Sequence, residues 1–340
     1  MKFIIETKDF LQGLQVVEKA GKLCYIKTCE DGISLKTSRM TFSIYTFVEA
    51  EVLEEGETLL SCQDLINYVN RCKNKIQVET KNNKLLVENA LFKVYDSSNY
   101  PPFPKKADNY SYHLSDFCTK IRQIMTCCDK REQQLFTGNI VFEGDYLYST
   151  DGIRIGVIRC PHSNFPKIII PSLVFFPMMK WDEVDIAVSQ KQKMVYFTNG
   201  KTTIISQLIN VKYPDCIRTI SSSYARIKET IEIPLLDLLK ICEKACIFNS
   251  FSVKFMLGEE GITVISVGEI GSFKESLGID LGKEIEEEFY CNAKFIVDAL
   301  KVMQAEKDSK VLVHLCSFGS YIMVLLEKED FQYLIAPQKK

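Results

Sequence analysis

A pattern with a period of about 110 residues occurs three times along this 340-residue chain. Repetition at a fixed period constrains a fold more than any single motif, because each copy must solve the same packing problem. Each copy reads strand, helix, three strands, helix, three strands. The first copy opens with a strand over Lys2–Glu6 and a helix from Lys8 to Ala20 that stops at Gly21. Strands are expected around Gly32–Thr37, Thr41–Phe47 and Glu57–Leu60, then a helix from Gln63 to Cys72 with Ser61 as its N-cap. The second copy opens at Tyr110–Leu114, with Ser115 capping a helix to Asp129, and Ile170-Pro171-Ser172 starts its second helix. The third opens at Thr230–Ile233, with helices over Leu235–Cys246 and Ala293–Met303. Tyr100-Pro101 returns as Tyr213-Pro214 at the close of the second copy. Polar stretches at Lys105–Asn109 and Ser221–Ser223 read as linkers and divide the chain into 1–108, 109–228 and 229–340. The fold class expected is α+β, with pairs of helices packed on antiparallel sheets. Pro177 falls inside the second helix of the middle copy. Its missing N–H and its ring clash predict a short, bent or shifted element there.

Within the middle copy, apolar-rich runs on either side of Asp151-Gly152 predict a tight β-hairpin over Leu147–Ile158. Ile153, Ile155 and Val157 would share one face and Arg154 the other. An arginine on a rigid hairpin beside apolar side chains suits a mostly apolar peptide groove with one polar anchor. An ordinary solvated strand residue is the plainer reading of Arg154.

The helices carry apolar stripes opposite polar ones. Phe10, Leu14 and Val17 oppose Lys8, Gln12, Gln15, Lys19 and Lys22. Phe117, Ile121, Ile124 and Cys128 oppose Lys120, Gln123, Cys127 and Arg131, and Lys294, Asp298 and Lys301 mark the polar side of the last helix. The six helical segments together sum to +7, and the remainder to −9, against −2 for the whole chain. A mildly acidic protein with positive helix faces fits a polyanion held by its phosphates, without base reading. No aromatic residues interleave with the basic positions, so base stacking is not indicated.

Thirteen cysteines are scattered through apolar segments with no C-x-x-C pair. They read as reduced cytosolic thiols used as small core residues, which places the protein in the cytoplasm. No metal or cofactor is implied: His113, His162 and His314 lie far apart, and Walker A, G-x-G-x-x-G, G-x-S-x-G and H-E-x-x-H signatures are missing. Glu284–Glu288 reads as a charged loop. Nothing argues for an enzyme, and no apolar run is long enough for a membrane helix.

The chain resembles the bacterial sliding clamp family, the beta subunit of DNA polymerase III. The words that carry the resemblance are Met1-Lys2-Phe3, Ser149-Thr150-Asp151-Gly152-Ile153-Arg154-Ile155, Tyr213-Pro214-Asp215 with Arg218, Asn292 to Leu300, and Tyr333-Leu334-Ile335-Ala336-Pro337. The resemblance implies a head-to-tail homodimeric ring of six domains around double-stranded DNA, bound without regard to sequence. It also implies DNA polymerase and the clamp loader as partners through short peptide motifs. By position it puts Lys22, Arg71, Lys130 and Arg131 toward DNA. It lines the peptide groove with Phe136, Thr150, Ile153, Arg154, Ile155, Pro214, Arg218, Thr219, Ser320, Leu334, Ile335, Ala336 and Pro337. It puts Tyr100, Ile247 and Phe248 at the dimer interface. Two differences alter the groove: Ile153 stands where the family often has histidine, and the chain ends Gln338-Lys339-Lys340 instead of Met-Arg-Leu. The competing expectation is a clamp-fold scaffold or decoy that binds partners and is not loaded on DNA.

Overall fold

The computed structural model describes residues 1–98, 100, 103–105, 107, 109–128, 136–258, 261–281, 286–303 and 308–338. The first copy runs β1 (Lys2–Glu6), α1 (Thr7–Val17), β2 (Leu23–Cys29), β3 (Gly32–Ser38), β4 (Phe42–Glu49), β5 (Glu51–Glu54), β6 (Glu57–Ser61), α2 (Cys62–Val69), β7 (Lys75–Lys81), β8 (Lys84–Val87) and β9 (Ala90–Tyr95). The second runs β10 (Tyr112–Leu114), α3 (Phe117–Met125), β11 (Asn139–Gly144), β12 (Tyr146–Thr150), β13 (Arg154–Arg159), β14 (Phe165–Pro171), a 3-10 helix (Ser172–Met178), β15 (Val184–Ser189), β16 (Met194–Thr198) and β17 (Thr202–Gln207). After α4 (Cys216–Tyr224) the third runs β18 (Ile227–Pro234), α5 (Leu235–Phe248), β19 (Val253–Gly258), β20 (Gly261–Gly268), β21 (Gly271–Leu277), β22 (Glu287–Cys291), α6 (Ala293–Val302), β23 (Lys310–Phe318), β24 (Tyr321–Lys328) and β25 (Phe331–Ile335).

The repeat is visible in the pairing. In each copy the strand before the first helix pairs antiparallel with the strand after the second: β1 with β7, β10 with β15, β18 with β23. In each copy an N–H at the start of the first helix donates to a carbonyl beyond the second. Thr7 donates to Asn74 at 2.9 Å, Phe117 to Asp182 at 2.8 Å and Leu235 to Ser309 at 2.9 Å. Helix N-termini leave N–H groups without intrahelical partners, and one geometric answer serves all three here. Four strands, not three, separate the helices of the later copies, and the first copy adds β5.

The chain divides into two compact units, Met1–Cys118 with Leu173–Leu208, and Thr119–Ser172 with Ile209–Lys340. The first holds a 13-stranded sheet ordered β10-β15-β16-β17-β4-β3-β2-β6-β9-β8-β7-β1-β5. The second holds an 8-stranded sheet, β14-β11-β12-β13-β25-β24-β23-β18, and a 4-stranded sheet, β21-β20-β19-β22. Adjacent copies therefore share sheets. β17 pairs with β4 in the first unit, with Ile204 opposite Ile44, and β25 pairs with β13 in the second, with Leu334 opposite Ile155.

Helix packing follows the periodicity. Phe10, Leu14 and Val17 of α1 are fully buried while Lys8, Gln12 and Gln15 are exposed. Burying each large apolar side chain contributes about 1.5–3 kcal/mol. The Ser61 side chain accepts the Asp64 N–H at the start of α2, as expected of an N-cap. The Cys62 N–H donates to the Lys22 carbonyl at 2.8 Å, at the far end of α1, so α1 and α2 run antiparallel.

The expectation at Pro177 holds, and several others give way. Pro177 sits in a 3-10 helix, the short element its geometry dictates. Ser221–Ser223 are not a linker but lie in α4, which Asp215 caps through the Arg218 N–H at 2.9 Å and which Cys216 and Ile220 anchor by burial. Cys127 follows the end of α3 and is buried, which cuts the polar stripe read through it. Glu287 and Glu288 are not loop residues: they lie in β22 and pair with Lys228 and Lys254. The cysteines are free thiols, nine of them buried, as small core residues would be.

Candidate functional site

The Asp151-Gly152 hairpin forms, with a wider loop than a two-residue turn. Thr150 pairs with Ile155 across the strands, and Gly152 alone in the loop takes a positive φ, +87°. Asp151 organises the loop: its Oδ1 accepts the N–H groups of Ile153 at 3.0 Å and Arg154 at 2.9 Å. The Thr150 hydroxyl donates to the Arg154 carbonyl at 2.7 Å. Ile153 is left in the loop, 47% exposed, while Ile155 packs with Phe136 on the cluster of Val157, Tyr213 and Leu334.

Arg154 is not a solvated strand residue. Its side chain is 13% exposed. Nε donates to Asp151 Oδ2 at 2.7 Å, and Nη1 donates to Asp298 Oδ2 at 3.2 Å and to the Tyr333 hydroxyl at 3.0 Å. The guanidinium lies 4.2 Å from the centre of the Phe295 ring. Burial opposes the charge, and Tyr333 and Asp151 outweigh it, so the group is held protonated. Gly156, opposite Tyr333, lets the strand approach Cys127: a Cβ there would stand 3.1 Å from Cys127 Sγ. Asp298, read from sequence as a residue of the polar helix face, points at the hairpin and also receives Lys294 at 2.5 Å. Tertiary pairing of this kind has no signal in helical spacing.

The structure brings most of the expected groove residues together. Arg154 pairs with Ile335 and Ile155 with Leu334 across β13 and β25, and the Ala336 N–H donates to the Ile153 carbonyl at 2.9 Å. Phe136 stacks edge-on against Tyr213, which precedes Pro214. Ile153, Pro214, Arg218 and Ser320 are exposed; Phe136, Arg154, Ile155, Thr219, Ala336 and Pro337 are half-buried. Thr150, Leu334 and Ile335 are buried and support the others from beneath. Ser320 stands apart at the β23–β24 turn and meets Pro337 across a cavity of about 500 Å³ that also takes in Tyr290 and Tyr321.

Of the basic candidates, Lys22 and Arg71 are exposed, just beyond the C-terminal ends of α1 and α2. Arg71 donates to the Asn67 carbonyl at 2.8 Å, an end cap of its own helix. Because the helices are antiparallel, the two cations lie at opposite ends of the pair. Lys130 and Arg131 fall outside the described residues. In the third copy the helix lysines are neutralised locally: Lys240 by Asp237, Lys244 by Glu275, Lys294 by Asp298 and Lys301 by Glu243.

Tyr100 is tied within its own unit. Its hydroxyl accepts the Ser38 N–H at 3.0 Å and donates to the Leu23 carbonyl at 3.2 Å, and its ring packs on Phe103. Ile247 is 67% exposed at the end of α5, and Phe248 stacks on Phe273 of β21. Phe251, Val267 and Ile270 are also strongly exposed near these elements and were missed in the sequence. The available signal was an apolar residue, Ile270, inside the turn before Gly271.

Paired helices on antiparallel sheets, repeated and joined edge to edge, define a clamp-type α+β fold. No protein-family model matches the chain. It is 21% identical over 305 residues to the beta sliding clamp of Treponema pallidum (strain Nichols), covering 81% of each. It superposes on a putative DNA polymerase III beta subunit from Eubacterium rectale ATCC 33656 with TM-score 0.87 and 21% identity, all of both chains covered. The Helicobacter pylori beta clamp bound to a DNA ligase peptide gives TM-score 0.87 at 16% identity, again over both whole chains. The chain has the fold of the bacterial DNA polymerase III beta subunit, and resembles the beta sliding clamps.

Proposed function

We propose that this chain is a DNA sliding clamp, a non-enzymatic processivity factor of the cytoplasm. Two copies close head to tail into a ring of six domains, 1–108, 109–228 and 229–340 from each. One observation carries the reading. Copies within the chain join by the last strand of one on the third sheet strand of the one before: β17 on β4 and β25 on β13. The corresponding ends left over are β9 and β21. β21 is the end strand of its sheet, and β9 meets β6 only at Val94 and Tyr95. A sheet edge such as β21, and a stretch such as Ala90–Lys93 of β9 that pairs with β8 on one side and not with β6 on the other, invite pairing. A heterologous contact of β9 with β21 of a second copy repeats the internal joint and closes after two chains. The apolar residues Ile247, Phe248, Phe251 and Ile270 flank that edge, with Tyr100 on the first-copy side.

Duplex DNA passes through the ring and is held by phosphate contacts from Lys22, Arg71, Lys130 and Arg131, weak enough to permit sliding. DNA polymerase, and the clamp loader that opens the ring, dock by short peptides on the surface of Ile153, Arg154, Ile155, Pro214, Arg218 and Pro337, with the other groove residues beneath and beside them. The peptide on the Helicobacter pylori clamp supports this mode of docking. The test is loading by a clamp loader onto nicked circular DNA. Retention on the circle and release on linearisation is expected of a topological tether.

A second reading is a clamp-fold scaffold or decoy that binds partners without being loaded on DNA. The local neutralisation of the α5 and α6 lysines favours it. Peptide binding without retention on circular DNA would select it.

A further inference from the structure

We infer that Asp298 of α6 is a positioning residue for the peptide groove, acting through Arg154; this rests on the groove reading above. Arg154 uses Nε and Nη1 inward, on Asp151, Asp298 and Tyr333. Nη2 has no hydrogen-bond partner among the described residues. A guanidinium is planar, so fixing two of its nitrogens fixes the direction of the third. Phe295 beneath the plane at 4.2 Å removes the remaining tilt. Nη2 is thereby the nitrogen left, one residue from exposed Ile153, for an acceptor oxygen supplied from outside: a backbone carbonyl or carboxylate of a docked peptide. Asp298 is itself held, because Lys294 takes its other oxygen at 2.5 Å. Without Asp298 the guanidinium keeps Asp151 on Nε, but on Nη1 it keeps only the neutral Tyr333 hydroxyl, a weaker acceptor than a carboxylate, and its plane is held less firmly.

The experiment is a double-mutant cycle with the DNA ligase peptide of the Helicobacter pylori clamp complex as probe. Affinity is titrated for the unmodified dimer, Asp298→Asn, Arg154→Lys and the double variant. Asp298→Asn is expected to weaken binding about tenfold, and to have no further effect once Arg154 is lysine. A merely structural Asp298 would weaken binding equally in both backgrounds, and that additivity would overturn the inference. So would unchanged affinity in Asp298→Asn. Asp298→Ser, which removes the carboxylate and keeps a small polar side chain at a position that is not fully buried, gives the same cycle should Asp298→Asn fail to fold. Failure of the unmodified dimer to bind the probe would overturn the groove reading itself, and this inference with it.

Discussion

The Tyr213 hydroxyl accepts the Thr150 N–H at 3.0 Å and donates to the Asn139 carbonyl at 3.0 Å. One phenol thus ties the end of β12 and the start of β11 to the segment ahead of α4. Burial raises its pKa far above the usual tyrosine value, so it remains a neutral donor. Tyr213→Phe keeps the packing, leaves the buried Thr150 N–H without this acceptor and leaves the Asn139 C=O with one donor fewer. The expected loss is about 2 kcal/mol, read as a lower urea midpoint with unchanged slope. An unchanged midpoint would show that water or a rearranged loop satisfies both groups.

The same hydrogen bonds show what a sequence can and cannot announce. Phe10, Leu14 and Val17 repeat at helical spacing, and the helix they predict is the one that forms. Asp151-Gly152 announces a reversal because few residues other than glycine accept φ near +87°. Ser221–Ser223 mislead because serine favours turns in isolation. Burial of Cys216 and Ile220, and the Asp215 cap, override that preference. The Arg154–Asp298 pair lies beyond any local pattern, since its partners are far apart in the chain and each alone reads as a surface charge. The internal joints β17–β4 and β25–β13 were likewise invisible, because strand composition names no partner.

The exposed apolar group at the end of α5 should set the assembly state. Ile247→Asp with Phe248→Asp places two charges where β21 would meet a second copy, and each buried apolar side chain there is worth about 1.5–3 kcal/mol. Sedimentation is expected to change from dimer to monomer with the far-UV spectrum retained. A double variant that still sediments as a dimer removes this surface from the interface.

Lys22 and Arg71 have no carboxylate within ion-pair distance among the described residues, unlike the α5 and α6 lysines. They should therefore contribute most to phosphate attraction. Replacing each by alanine is expected to lower the slope of log affinity against log salt by about one, with no change between DNA sequences. An unaltered slope in the double variant would move the DNA contact elsewhere.

Alkali should find the buried thiols. Burial pushes Cys128, Cys160, Cys216 and Cys291 up to about 12 from an ordinary value of 9.0. In the unfolded chain these groups ionise near 9, while in the folded chain they stay protonated. Between those values the unfolded state binds fewer protons, so stability falls as pH rises. Their contribution is whole below about pH 9 and declines toward 12. The urea midpoint is expected to drop from pH 8 to pH 10, more steeply than in a variant with Cys160 and Cys216 replaced by alanine. At pH 8 a thiol reagent should titrate exposed Cys29 at once and the four buried thiols only in denaturant. Rapid reaction of the buried four in the native protein would mean that the cores holding them open on the timescale of labelling.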